Sequence, residues 1–72
     1  MLLNVIIEKD KHGYFARILE LEGCVSQGNT YEEALNNIKE AGELYLESLE
    51  NEEKRMIENK TTAIVPMVLA NA

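Results

Sequence analysis

The sequence predicts an α+β domain in the order β-β-β-α-(α)-β, with a helix packed on one face of a mainly antiparallel sheet. Three observations carry that reading. Residues 30–33 read Thr-Tyr-Glu-Glu, a helix start in which Thr30 accepts from the Glu33 amide and Glu33 reaches back to the Thr30 amide. Behind it Ala34, Leu35, Ile38, Ala41, Tyr45 and Leu49 recur at the spacing of one helical face. Ahead of it lie three short apolar segments divided by glycine-containing turns.

The first segment, residues 2–8 (LLNVIIE), holds the β-branched run Val5-Ile6-Ile7. Its near-continuous apolarity predicts a strand buried on both faces. Residues 9–13 (KDKHG) are charged and end in glycine, which reads as a hairpin turn. Residues 14–19 (YFARIL) form the second strand, antiparallel to the first. Tyr14, Ala16 and Ile18 share one of its faces, and Phe15, Arg17 and Leu19 the other. Residues 20–23 make a turn or bulge in which Gly23 takes a positive φ without steric cost. Cys24-Val25-Ser26 is the third strand, broken by Gly28 and Asn29 before the cap at Thr30.

The helix is expected over about residues 31–49, with Gly42 inside it allowing close packing against the sheet at a cost of about 1 kcal/mol relative to alanine. Glu32, Glu33, Glu40, Glu43 and Glu47 make its exposed face acidic, and Lys39 with Glu43 offers a modest i,i+4 pair. Residues 50–60 read as a short second helix anchored by Met56 and Ile57. Residues 61–69 (TTAIVPMVL) are expected to be the last strand, with Pro66 at a free edge or bulge because it has no amide to donate.

The 72 residues make one domain. A chain of this size buries only about 60–65% of its unfolded surface, so its core is marginal. Cys24 is the only cysteine and no Cys/His cluster exists to hold a structural metal, which leaves self-association as the common staple. A homo-oligomer is therefore expected. The formal charge of -6, from 13 acidic against 7 basic residues, argues against direct nucleic-acid binding and suits a basic protein partner. No signal peptide is legible at the N-terminus, and the apolar run after Thr62 is far short of the ~20 residues that span a bilayer. A cytoplasmic protein is expected.

In fixed order the chain shows Ile7-Glu8-Lys9-Asp10, then Gly13-Tyr14-Phe15-Ala16, then residues 20–28 (ELEGCVSQG), then residues 30–41 (TYEEALNNIKEA) and Glu43-Leu44-Tyr45-Leu46-Glu47. This pattern, over about residues 4–48, resembles the N-terminal domain of the HicB antitoxin family. Gly23-Cys24-Val25, Gly28 and the helix start through Thr30, Glu33 and Ala34, with Ile38 further along, are the motif positions, mainly structural in role. The resemblance implies a partial RNase H-like fold, usually oligomeric. It also implies a partner: a small basic mRNA-cleaving toxin of the HicA type, whose active site the antitoxin covers. Many relatives carry a C-terminal DNA-binding domain; none is expected here, nor is operator binding by this chain alone.

The partner surface is expected at Glu20, Glu22, Glu40, Glu43 and Glu47. No catalytic, metal-binding or cofactor-binding residue is assigned. An RNase H-like fold raises the question of nuclease activity, but two-metal hydrolysis needs carboxylates converging from several elements. Only Glu8 and Asp10 stand near the first strand, at its end. His12 reads as an exposed turn residue, Cys24 as a small buried hydrophobe, and Tyr14, Phe15, Tyr31 and Tyr45 as packing residues. The function these readings favour is that of a non-enzymatic antitoxin. A free-standing oligomeric protein- or ligand-binding module is the alternative, and a vestigial RNase H-like nuclease the third reading.

Overall fold

Val5–Asp10 (β1) and Gly13–Ile18 (β2) form a hairpin in the computed structural model of the chain, which describes residues 1–71. The turn depends on Gly13, whose φ of +130° is reserved in practice for glycine, and on Asp10, whose Oδ1 accepts from the His12 amide at 2.7 Å. Val5 lies opposite Ile18 and Glu8 opposite Phe15. Val25–Gly28 (β3) then pairs antiparallel with the other side of β2, giving a three-stranded sheet in the order β1-β2-β3.

The link from β2 to β3 is a compact loop rather than a plain turn. The Leu21 amide donates to the Ile18 carbonyl at 3.2 Å, the Cys24 amide to Leu21 at 3.0 Å, and the Ile18 amide to Cys24 at 3.1 Å. Gly23 takes φ +77° at its tip, as the sequence requires. The loop drives Leu21 into the core, where it is 1% exposed.

Tyr31–Glu47 (α1) starts where the sequence places it, with Thr30 Oγ1 accepting from the Glu33 amide at 3.1 Å. It ends at Glu47, two residues before Leu49, and is capped by Ser48, whose hydroxyl donates to the Tyr45 carbonyl at 2.6 Å. Its buried face is Ala34, Ile38 and Gly42, which close on Ala16, Ile18, Leu21 and Cys24 to make the core. Leu35, expected in the apolar stripe, falls off that face and is 39% exposed.

Two glycines decide where the helix sits. A Cβ on Gly28 would lie 2.5 Å from the Ala34 nitrogen, and one on Gly42 would lie 2.5 Å from Ile18 Cδ1. Without side chains there, α1 settles closely over β3 and β2 and barely reaches β1. The expected burial of β1 on both faces is therefore corrected: it is an edge strand, half-buried at Ile6 and Ile7 and exposed elsewhere.

Asn51–Glu58 (α2) is the short second helix, with the Glu53 carboxylate accepting from the Glu50 amide at 3.0 Å. Of its two expected anchors only Ile57 packs against the core, while Met56 is 67% exposed. The expected last strand is also corrected. Residues 61–69 carry no strand, and every one of them is exposed. The physical reason is that β propensity forms a strand only where a neighbouring strand supplies ladder hydrogen bonds, and among the described residues no other segment pairs with this one.

Candidate partner-binding surface

The five acids singled out from the sequence fall into two groups. Glu40, Glu43 and Glu47 are exposed on α1 and, at the helical period, share the side opposite Ala34, Ile38 and Gly42. Glu20 and Glu22 lie elsewhere, lining a hollow with Tyr45, Glu53, Ile57 and Lys60 where the end of α1 meets α2. Tyr45 ties the hollow together: its hydroxyl donates to the Glu22 carbonyl at 3.0 Å, fixing the loop to the helix.

Glu20 has a structural task of its own. Its two carboxylate oxygens accept from the Asn4 amide at 2.8 Å and from the Asn4 side chain at 2.6 Å, holding the residue before β1 against the loop after β2. Partial burial disfavours the charged carboxylate, but the bonds from Asn4, joined by one from Thr62, outweigh it and hold the carboxyl below its ordinary value. Nothing at the level of sequence spacing marks this pair, because the two residues meet only through the hairpin.

The motif positions are architectural. Gly23, Gly28 and Thr30 set a turn, a close approach and a cap. Ala34 and Ile38 are fully buried, and Glu33 supplies the amide that Thr30 caps. Cys24 is buried, and desolvation pushes its thiol up from the ordinary value, the opposite of what a nucleophilic thiolate needs. His12 stands exposed in the hairpin turn. Among the described residues no group of three or more His, Cys, Asp or Glu is gathered closely enough to hold a metal ion. Among them, too, no helix is long and apolar enough to cross a membrane.

A further surface comes from the layering. With α1 on one face, the other face of the sheet is left uncovered, and Phe15, Arg17 and Val25 stand on it beside Glu8 and Gln27. The alternation of strand two pointed Phe15 and Arg17 to one side, but only the single helical layer shows that this side faces outward. Lys9, at the end of β1, lies over the Tyr14 ring at 5.5 Å from its centroid on the helix side.

A comparison against known families places the chain. The profile described as "HicB_like antitoxin of bacterial toxin-antitoxin system" matches residues 3–69. The chain belongs to the HicB-like antitoxin family. A protein named "UPF0150 protein" from Helicobacter pylori is 56% identical to it over 72 residues, covering 100% of both chains. A "UPF0150 protein" of Thermoplasma acidophilum is 46% identical over 57 residues, 78% of this chain and 83% of the relative. One from Synechocystis is 55% identical over 47 residues, 64% of this chain and 60% of its own length. No solved structure matches the chain. The HicB-like profile runs to residue 69, so the exposed C-terminal segment belongs to the family's pattern and is not an appendage to it.

Proposed function

We propose that this HicB-like antitoxin neutralises a small basic, mRNA-cleaving toxin of the HicA type by docking over its active site, without catalysis of its own. The observation that carries the proposal is the family membership over residues 3–69. The charge of -6 and the exposed row of Glu40, Glu43 and Glu47 support it, since an acidic face draws a cationic partner in and raises its rate of encounter. Glu22, with Glu20 behind it, extends the acidic surface at the far end of α1. The open sheet face around Phe15 and Val25 supplies the apolar contact that charge alone does not. In this reading the three-stranded meander followed by α1 is a partial RNase H-like arrangement kept as a protein-binding scaffold. The protein acts in the cytoplasm as a homo-oligomer and makes no direct contact with nucleic acid.

The test is co-purification. The chain is expressed with its genomic neighbours, recovered through a tag, and its companions identified. The expected companion is a stoichiometric small basic protein that arrests growth alone and is silent beside this chain. Recovery of this chain alone, as a salt-resistant homo-oligomer, overturns the antitoxin reading in favour of a free-standing binding module.

A further inference from the structure

The single chain exposes far more surface than its size requires. Its accessible area is 6047 Å², where a folded monomer of 8.2 kDa is expected to show about 4,500 Å². Its radius of gyration is 14.1 Å against about 11 Å for a compact domain of this length. Residues 61–69 account for much of the excess: Ile64, Val65, Met67, Val68 and Leu69 are 59%, 69%, 71%, 97% and 64% exposed. The segment is rich in strand-forming residues and has no charged side chain.

The same molecule holds an empty place of matching chemistry. Because α1 leans over β3 and β2, a mainly apolar groove runs along the β1 side of the helix. Leu2, Leu3, Val5, Ile18, Leu35 and Leu46 line it. The strand beside it is a free edge. The Leu19 amide donates to the Asn4 carbonyl at 2.9 Å in the register of β1 and β2, so alternation turns the backbone groups of Val5, Ile7 and Lys9 away from β2. The opposite edge is less available: α1 presses against β3, and the Asn37 side chain donates to the Gln27 carbonyl at 2.8 Å.

We propose that residues 63–69 are the fourth strand of a second copy's sheet, paired to the free edge of that copy's β1 and seated in its groove, in a reciprocal exchange. Pro66 fixes the parity. Its missing amide must point away from β1, so Ala63, Val65, Met67 and Leu69 present their backbone groups to the edge, enough to meet those of Val5, Ile7 and Lys9. Both faces of the segment are apolar, Ile64 and Val68 on one and Val65, Met67 and Leu69 on the other. Either strand direction therefore delivers apolar side chains to the groove. At ~3.3 Å per residue the segment spans about 23 Å, enough to run the six residues of β1. The surplus area per chain, about 1,500 Å², exceeds the ~800 Å² that each partner contributes to a standard stable interface. The new outer edge carries Pro66, whose missing amide blunts it against further pairing.

The test uses the full chain and no toxin, so it stands apart from the antitoxin reading. In a Cys24→Ala background, one sample carries Val5→Cys or Ile7→Cys and a second, differently tagged sample carries Val65→Cys or Met67→Cys. The samples are mixed, refolded together and oxidised. The expected result is a disulfide joining the two tagged chains in at least one of the four combinations. Light scattering of the unmodified chain gives at least twice 8.2 kDa. The paired substitution Val65→Asp with Val68→Asp touches side chains exposed in the single chain. It is expected to leave the circular dichroism unchanged while raising the dissociation constant of the assembly by about 100-fold or more. A monomeric unmodified chain, an assembly indifferent to the two aspartates, or no mixed disulfide in any of the four combinations overturns the proposal.

Discussion

Gly28 and Ala34 lie backbone against backbone, so closely that a Cβ on Gly28 would sit 2.5 Å from the Ala34 nitrogen and 2.9 Å from the Glu33 carbonyl carbon. This contact brings the first turn of α1 onto β3 and sets the offset that leaves β1 uncovered. A methyl group there meets backbone on the helix side and cannot be accommodated by rotating a side chain. Gly28→Ala is expected to destabilise the fold by ~1–3 kcal/mol, read from the urea midpoint at unchanged slope. Gly42→Ala is the control: its Cβ meets only the tip of Ile18, which can turn aside. The gain of about 1 kcal/mol in helix propensity then offsets most of the overpacking, and its midpoint stays near that of the parent.

The cap at Thr30 makes a second prediction. Its hydroxyl satisfies the Glu33 amide at 3.1 Å at an exposed helix start. Thr30→Ala is expected to cost about 1 kcal/mol, and Thr30→Asp to recover it, because the carboxylate both accepts the bond and favours the positive end of the helix. Thermal unfolding of the three proteins side by side checks the order.

The bonds between Asn4 and Glu20 predict an acid sensitivity. The Glu20 carboxyl is held below its ordinary value of 4.5 in the folded chain. The unfolded chain therefore binds the proton first on acidification. The stabilisation is complete above the ordinary value and is lost as pH falls through the lower folded value. Glu20→Gln is expected to be less stable than the parent at pH 7, with the difference shrinking below about pH 4. Denaturation midpoints across that range decide it; a difference independent of pH would mean that the carboxylate is not the group responsible.

The acidic side of α1 predicts how the proposed toxin is met. Replacing Glu40, Glu43 and Glu47 together by lysine touches exposed positions only and should leave the unfolding midpoint within ~0.5 kcal/mol of the parent. Association with a basic partner is expected to slow by about 10-fold or more, and its salt dependence to flatten or reverse. Stopped-flow association at two ionic strengths measures both. Unchanged kinetics would move the interface to the open sheet face around Phe15 and Val25.

Much of the fold was legible because its signals are local. The Thr30 cap, the spacing of Ala34 and Ile38, the positive φ at Gly23 and the hairpin turn at Gly13 each act within a few residues. The start of α1 and the pairing of β1 with β2 follow from them. The candidate site was harder to read. Charge placed Glu40, Glu43 and Glu47 on the outer side of the helix, but the bonds between Glu20 and Asn4 and between Tyr45 and Glu22 join residues distant in sequence, and no period encodes them.

What the sequence by itself determined was the type and order of the elements as far as α2 and the acidic balance of charge, because backbone sterics, capping and side-chain alternation are near-neighbour effects. The tertiary structure decided which apolar positions are covered. The single-sided layering exposes Phe15 and Val25, the offset of α1 leaves Leu35 and the β1 edge open, and residues 61–69, strand-like in composition, stay unpaired in the single chain. Burial depends on what lies across the gap, and for a strand on the presence of a neighbour to receive its hydrogen bonds.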